Sequence, residues 1–361
     1  MRQPAHGGNL IWAAAQAGCP SSAILDFSAS ISPLGPPNSA IAAIMSQLDH
    51  LRYYPDPDYS ELRLALSHFH QLPPEWILPG NGSAELLSLA GRELAQFAAT
   101  ALMTPAFGDY YRALAAYNAK VLEFPVSLVS SQKSVETTVI TSVEDKGERR
   151  NDKGLLLNNP HNPTGKLFAR SAILPYLEEF ALVVVDEAFM DFLPQDKEQS
   201  LIKVVQEYPN LVILRSLTKF YSLPGLRLGY AISHPDRLRK WQMWRDPWPV
   251  NTLAAAAAIA ALQDREFQLQ TWMWLPPVRN QLFEGLNSLP GLQPLYSAAN
   301  FLLVESQQPG SQLQQKLLKR HQILIRDSLS FPELGDRYFR VAVRSSSDNQ
   351  RLLEAIAQSE D

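Results

Sequence analysis

The sequence predicts an α/β fold built on a mostly parallel sheet, with a smaller α+β domain beside it. Three observations predict it. Short apolar runs each end in polar or small residues, stretches of helical character separate the runs, and the last third of the chain lacks them. Apolar strands that alternate with helices are typical of a parallel sheet covered on both faces.

Four apolar runs are the predicted strands of this sheet. With the polar residues that follow them, they are 101–103 with Thr104, 155–157 with Asn158 and Asn159, 181–185 with Asp186 and Glu187, and 211–214 with Arg215 and Ser216. Ligands of open α/β sheets bind beyond the carboxyl ends of the strands. These polar residues are therefore the first candidates for chemistry.

The C-terminal third has a different pattern. An Ala-rich run near residue 255 predicts the start of a long helix, with Asn251 or Thr252 as its cap. Residues 300–306 and 338–344 read as further strands. Because these strands are not long buried runs, this third is predicted to be a smaller α+β domain.

Composition and charge exclude several classes of protein. The 32 basic and 36 acidic residues give a net charge of −4, which argues against a nucleic-acid partner. The 46% hydrophobic content excludes a disordered chain. No run reaches 18 apolar residues, so no membrane span is expected. Cys19 is the single cysteine, and the segment 10–19 is a poor signal peptide, so a cytoplasmic location is expected.

Lys219 stands just beyond an apolar run, in the segment 216–230. A lone lysine is usually a surface residue, but this one has the hydroxyls of Ser216 and Thr218 beside it and Arg227 eight residues on. A lysine in such a pocket can have a lowered pKa and attack an aldehyde. The hydroxyls and the arginine suit a phosphate.

Asp186, at the end of an apolar run, has three readings: a metal ligand, a helix cap or a counter-ion. A metal site needs further ligands at suitable spacing, and the seven histidines form no such cluster. No metal is therefore expected.

Two turns could bind a ligand. The segment 161–166 is not a phosphate loop, because residue 160 is proline and residue 167 is leucine. It is a tight turn beyond a strand that leaves the Asn162 amide free to bind. The glycine-rich turn at 80–94 opens a helix, and the amides of Ser83 and Ala84 there suit an anion.

Together, these motifs resemble the signature of fold-type-I pyridoxal-phosphate enzymes of the class I/II aminotransferase superfamily. An asparagine turn at Asn162 is followed by Asp186, Lys219 and Arg227 at intervals of 24, 33 and 8 residues. The resemblance covers nearly the whole chain. It implies pyridoxal 5′-phosphate joined to Lys219, with Asp186 keeping the pyridine nitrogen protonated and Asn162 hydrogen-bonded to the ring hydroxyl oxygen.

The resemblance also implies the surroundings of the cofactor. The phosphate would be held by Ser83, Ala84, Ser216, Thr218 and Arg227. Phe107 would stack on the ring, and Tyr54 would reach the phosphate of a partner subunit's cofactor in a homodimer. The implied organisation is an N-terminal arm over 1–36 that packs on the small domain, a large cofactor-binding domain over 37–250 and a small C-terminal domain over 251–361.

Two families within the superfamily compete. The segments 6–9 (HGGN) and 26–35 (DFSASISPLG) look like threonine-phosphate decarboxylases of cobalamin biosynthesis; histidinol-phosphate aminotransferases are the alternative. Phe189 favours the decarboxylases, because the aminotransferases typically have a tyrosine there whose hydroxyl touches the ring oxygen.

The decarboxylase resemblance implies conversion of L-threonine O-3-phosphate to (R)-1-amino-2-propanol O-2-phosphate. Arg340 is expected near the carboxylate, and Arg326 with His6 near the phosphate. The full set of implied substrate-binding residues is His6, Gly7, Ser32, Asn162, Arg326, Arg340 and Arg344. Ser30, Ser32 and His161 each stand where the family usually has an asparagine. These departures bear on how the polar end of the substrate is held.

Overall fold

The computed structural model describes residues 6–128, 135–136 and 152–359. The helices are α1 Leu10–Ala17, α2 Asn38–Ser46, α3 Ser60–His70, α4 Gly82–Leu94, α5 Gly108–Ala115, α6 Arg170–Glu179, α7 Pro235–Gln242, α8 Thr252–Gln263, α9 Arg265–Asn287, α10 Gly310–His321 and α11 Ser346–Ala357. The strands are β1 Leu25–Asp26, β2 Ile77–Asn81, β3 Ala99–Thr104, β4 Val121–Pro125, β5 Lys153–Asn158, β6 Leu182–Asp186, β7 Leu211–Ser216, β8 Leu228–Ser233, β9 Leu292–Pro294, β10 Phe301–Ser306, β11 Ile323–Leu324, β12 Arg326–Asp327 and β13 Tyr338–Ala342.

The central sheet has seven strands in the described ranges, in the order β2-β8-β7-β6-β5-β3-β4. β8 runs against its neighbours β2 and β7, whereas the pairs among β3 to β7 are parallel. All residues of β3, β5 and β7 are buried, as expected for a sheet with helices on both faces. The four predicted strands and the predicted fold class are confirmed.

A smaller antiparallel sheet, β12-β13-β10-β9, lies in the C-terminal part. The predicted strands 300–306 and 338–344 correspond to β10 and β13. The N-terminal segment reaches the same region, since β1 pairs in parallel with β11 and α1 contacts α10. Residues 1–5 of the predicted arm lie outside the described part, and the predicted domain boundaries stay predictions.

The Ala-rich run forms α8, and Asn251 is its cap, accepting the Ala254 N–H at 2.8 Å. The expectation of one long helix was wrong in its extent. α8 ends at Gln263, and the Asp264 carboxylate accepts the Phe267 N–H at 3.0 Å to begin α9. An aspartate that caps a new first turn ends the old helix there. None of the described helices is long and apolar enough to cross a bilayer.

One apolar core joins the two sheets. The same cluster of buried side chains includes Val183 and Ile213 of the central sheet and Phe301 and Phe339 of the smaller one. Because this core is continuous, it fixes the position of the polar edge of the central sheet relative to the smaller sheet. The candidate site lies at that edge.

Candidate active site

The site is built at the carboxyl edge of the parallel strands. Asn158, the last residue of β5, pairs with Asp186, the last residue of β6, and β7 ends beside them at Ser216. The apolar residues before them are buried and fix each strand in the sheet. The polar residues that follow are therefore held at one edge, as the sequence predicted.

Lys219 lies in the loop after β7. Its amine donates a hydrogen bond to Thr218 Oγ1 at 3.0 Å. Burial lowers the pKa of Lys219 to about 8; Asp186 opposes that shift, and Arg227 and Arg340 add to it. A substantial fraction of the amine is therefore neutral, and nucleophilic, near neutral pH.

Asp186 is held by two hydrogen bonds. Tyr110 donates its hydroxyl to Oδ2, and Ala188 donates its N–H to Oδ1, each at 2.9 Å. Burial raises the pKa of Asp186, while Ala188, Tyr110 and Lys219 lower it. These two hydrogen bonds orient a half-buried carboxylate and favour its charged form, which suits a counter-ion. Tyr110 was missed by sequence reasoning, which had no signal for a helix residue reaching this strand end.

An anion cradle forms where β2 leads into α4. Ser83 and Ala84 are in the first turn of this helix, which starts at Gly82 with φ +73°. A Cβ on Gly82 would lie 2.8 Å from Arg227 Nη2, so the guanidinium lies over the turn. A Cβ on Gly229 would lie 2.5 Å from the Ser83 nitrogen, so glycine is required for this close approach.

Two hydroxyls complete the cradle. The oxygens Ser216 Oγ and Thr218 Oγ1 are 2.8 Å apart, and both side chains are buried. The backbone amides, the arginine and these hydroxyls make a donor set that suits a phosphate. The predicted group of Ser83, Ala84, Ser216, Thr218 and Arg227 is brought together around Lys219.

Two further residues, Phe107 and Asn162, were predicted to contact the ring of a cofactor. Phe107 precedes α5 and packs edge to face with Tyr110, with ring centroids 5.7 Å apart. Asn162 accepts a hydrogen bond from Arg340 Nη1 through Oδ1, which leaves its Nδ2 protons for another acceptor. Both positions agree with the roles expected from the sequence, and the roles themselves stay predictions.

Arg326 and Arg340 stand directly opposite each other on β12 and β13. Burial, followed by the charge of Arg326, lowers the pKa of Arg340 to about 9, so Arg340 remains charged at neutral pH. Within the described ranges no carboxylate forms an ion pair with Arg340. A guanidinium without a carboxylate partner in a half-buried site calls for an anion, so Arg340 is the candidate to bind one.

The N-terminal segment closes the site from another side. The His6 and Phe107 ring centroids are 5.6 Å apart, and His6, Gly7 and Arg326 line one small pocket. The Ser32 N–H donates to the Lys219 carbonyl at 3.0 Å, so Ser32 touches the loop that carries the lysine. A Cβ on Gly7 would lie 2.2 Å from the Ser28 carbonyl oxygen, which explains a glycine at that position.

Two predicted residues are not drawn into this group. Arg344 pairs with Asp348 at 3.1 Å and donates to the Asp26 carbonyl, so its guanidinium is engaged away from Asn162 and Arg340. Tyr54 is 79% exposed and stacks on Trp248, with centroids 4.5 Å apart.

One departure from the family, His161, and the phenylalanine that separates the two candidate families, Phe189, are both inside the protein. His161 is buried, its Nδ1 lies 2.7 Å from Thr164 Oγ1, and burial with the charge of Lys166 lowers its pKa to about 3. It is therefore a neutral part of the turn. Phe189 is buried edge to face against Phe301 and offers no hydroxyl. Among the described residues, no three His, Cys, Asp or Glu side chains gather as metal ligands would.

A sequence profile of the family described as Aminotransferase class I and II matches residues 22–356. The chain belongs to this family. It is 39% identical to a threonine-phosphate decarboxylase of Salmonella typhimurium over 98% of this chain and 95% of that protein.

Solved structures give the same result. The histidinol-phosphate aminotransferase of Clostridium acetobutylicum matches with a TM-score of 0.83 and 27% identity, over 93% of this chain and 99% of the other. The L-threonine-O-3-phosphate decarboxylase of Porphyromonas gingivalis matches with a TM-score of 0.79 and 25% identity, over 92% and 98%. The resemblance on which the sequence predictions rested is confirmed.

The residues of the site fit pyridoxal 5′-phosphate, the cofactor implied by the family. A half-buried lysine with a lowered pKa, a half-buried carboxylate and a phosphate cradle lie at one edge of the sheet. Lys219 would hold the aldehyde carbon, Asp186 the pyridine nitrogen and Asn162 the ring oxygen. The phosphate would lie on the cradle around Ser83.

Proposed function

We propose that this chain is a pyridoxal-phosphate-dependent decarboxylase that converts L-threonine O-3-phosphate to (R)-1-amino-2-propanol O-2-phosphate in cobalamin biosynthesis. The observation that carries the proposal is Arg340, whose guanidinium lies beside the lysine site, pairs with no carboxylate in the described ranges and stands opposite Arg326. An amino acid with a phosphate at its far end supplies a carboxylate for Arg340 and places its phosphate by the pocket that Arg326 lines.

The chain's own residues hold the two ends of this substrate. Arg340 binds the carboxylate through its planar fork, and Arg326, with His6 and Gly7 of the same pocket, binds the phosphate. Fixing both ends fixes the rotation of the α-carbon between them, and binding energy at a remote group can be used in this way.

Bound pyridoxal phosphate supplies an electron sink, which weakens whichever α-carbon bond stands perpendicular to its ring. Asp186 keeps that sink charged by holding the ring nitrogen protonated. After CO2 leaves, Lys219 Nζ donates a proton to the α-carbon. The pKa of Lys219, lowered to about 8, suits an amine that both loses and gives a proton near neutral pH.

Incubation of the holoenzyme with L-threonine O-3-phosphate tests the proposal. We expect CO2 and the amino-propanol phosphate in equal amounts, with no need for an amino acceptor. Amination of imidazole-acetol phosphate by glutamate, without CO2 from threonine phosphate, would instead establish the aminotransferase. Phe189 opposes that second function, because it lacks a hydroxyl for the ring oxygen and is packed on Phe301.

We also propose that the protein is a homodimer whose interface includes the exposed apolar residues of segment 41–54, which runs from α2 into the turn that follows it. These residues are Ile41, Met45, Leu48, Leu51, Tyr53 and Tyr54. Single exposed apolar side chains are ordinary on a monomer, but six within one short segment suit an interface. A second copy is its occupant because Tyr54, which ends this surface, is the residue expected to reach a partner's cofactor.

Light scattering after gel filtration tests the dimer. We expect twice the chain mass of 40.3 kDa for the wild type and a monomer for Met45→Asp. Met273→Asp is the matched control, since Met273 is 76% exposed on α9. A wild-type monomer, or dissociation by the control alone, would contradict the proposal. The cytoplasmic location stays a prediction that cell fractionation can test.

A further inference from the structure

The guanidinium of Arg340 lies over the phenyl ring of Phe301. Its Cζ is 4.8 Å from the ring centroid, within the range of a cation–π contact. Phe301 begins β10 and pairs with Ala342, which makes Arg340 its diagonal neighbour on β13. The ring is fully buried, so the contact is made in a place largely closed to water.

A second contact fixes the guanidinium from another direction. Arg340 Nη1 donates to Asn162 Oδ1, which belongs to the turn after β5. The ring of Phe301 supports the guanidinium from one side, and the hydrogen bond to Asn162 restrains it from another. A guanidinium binds a carboxylate through a planar fork, so these two contacts decide how a carboxylate lies.

Phe301 is itself supported. Phe189 meets it edge to face, with ring centroids 5.0 Å apart and planes at 76°. Both rings are buried. Two successive contacts, Phe189 with Phe301 and Phe301 with Arg340, therefore connect the segment just after Asp186 to the arginine across the site.

We propose that Phe301 is a positioning residue that orients the substrate carboxylate through Arg340. The identity of that carboxylate rests on the proposed function. Phe301 touches no reacting atom; its ring holds the guanidinium plane, and the plane holds the carboxylate at the angle on which CO2 loss depends.

Two ligands that differ in one group test this. Phe301→Leu keeps the site apolar and removes the aromatic face. We expect its KM for threonine phosphate to rise about five- to tenfold, as loss of a desolvated cation–π contact would produce. The affinity for 1-amino-2-propanol phosphate, which lacks the carboxylate, stays within about twofold on the same grounds.

Phe339→Leu is the matched control. Phe339 is equally buried on β13, but it neighbours Arg340 in the strand and so points to the opposite face. We expect this variant to change the affinities for both ligands by the same small factor. If Phe301→Leu weakens both ligands equally, or neither, Phe301 has only a packing role and the proposal is overturned.

Two further comparisons apply if the variant does not fold or if the wild type has another activity. If Phe301→Leu fails to fold, Phe301→Met fills more of the volume without an aromatic face and is compared in the same way. If the wild-type holoenzyme releases no CO2, the proposed function fails. Glutamate and histidinol phosphate then serve as the amines with and without a carboxylate, and a selective loss of glutamate binding is still required.

Discussion

The hydroxyl of Tyr110 donates a hydrogen bond to Asp186 Oδ2 at 2.9 Å. Tyr110 is in α5 and Asp186 ends β6, so the bond ties a helix to the strand end that carries the counter-ion. Burial raises the pKa of Asp186, and this bond works against that rise. A neutral tyrosine therefore supports the charge of the carboxylate, since burial and Asp186 raise its own pKa well above the ordinary value.

Tyr110→Phe is expected to lower kcat/KM about tenfold, the effect of losing one hydrogen bond to a charged group. The pKa of Asp186 rises without the donor, so the acidic limb of the pH profile shifts to higher pH. The profile of kcat/KM checks this. Tyr111→Phe is the control, because the Tyr111 hydroxyl donates a hydrogen bond to Glu123 Oε1 at 2.7 Å on the surface. An unshifted limb in Tyr110→Phe would contradict the assigned role.

Lys219→Ala is expected to abolish activity and the visible absorbance of bound cofactor. Borohydride reduction followed by peptide mass mapping should mark Lys219 in the wild type and no lysine in the variant. Lys240→Ala is the control; Lys240 lies over Trp244 on the surface. A label on any other lysine of the wild type contradicts the site.

The lowered pKa of Lys219 predicts how cofactor uptake depends on pH. Only the neutral amine attacks an aldehyde, so the rate at which the apoprotein binds pyridoxal phosphate should rise with pH and level off above about 8. Stopped-flow absorbance measures this rate. A rate that climbs steadily toward pH 10 would show a lysine with its ordinary pKa.

Gly229→Ala is expected to weaken cofactor binding about tenfold or more, because a Cβ there would lie 2.5 Å from the Ser83 nitrogen and displace a phosphate-binding amide. Titration of the apoprotein with pyridoxal phosphate gives the dissociation constant. Gly225→Ala, in the turn just before β8, is the matched control, since its Cβ would meet nothing within 4 Å. If the two variants bind pyridoxal phosphate with equal affinity, the assignment of the phosphate to this cradle is contradicted.

Arg215→Met is expected to lower the free energy of unfolding by about 3–5 kcal/mol, since breaking a buried ion pair leaves carboxylates uncompensated. Arg215 is 2% exposed and pairs with Glu187 at 3.2 Å and Asp191 at 2.6 Å. Denaturant unfolding of the apoprotein measures the loss. Arg239→Met is the control, an exposed pair with Asp236 that is expected to change stability by less than about 1 kcal/mol.

The same network gives this stability a pH dependence. Burial raises the pKa of Glu187 to about 7 in the folded protein, above its unfolded value, so the folded state binds the extra proton. Stability is therefore lost as pH rises from about 4.5 toward 7, and Arg215 limits that loss. Without the arginine, the destabilisation should be smaller at pH 5 than at pH 8. A loss independent of pH would contradict burial of the charged carboxylate.

The sequence by itself determined the strands and the residues at their ends. Apolar runs such as 181–185 that alternate with helices favour a covered parallel sheet, and the residue that follows such a strand lies at the carboxyl edge of the sheet. The resemblance to the family, and the cofactor that it implies, rested on the spacing of four residues: Asn162, Asp186, Lys219 and Arg227. Such a spacing can be recognised because each residue stands at a fixed place relative to a strand.

Only the tertiary structure decided contacts between distant segments. Nothing local relates Tyr110 to Asp186, Phe301 to Arg340 or Arg326 to Arg340, since each pair is joined by sheet register or helix packing. The sequence placed Arg344 after Arg326 and Arg340 among the arginines for the substrate, and in the structure Asp348, four residues on, pairs with its guanidinium. An arginine looks the same in a sequence whether its partner is a ligand or a nearby acid, because the folded environment alone decides which anion it meets.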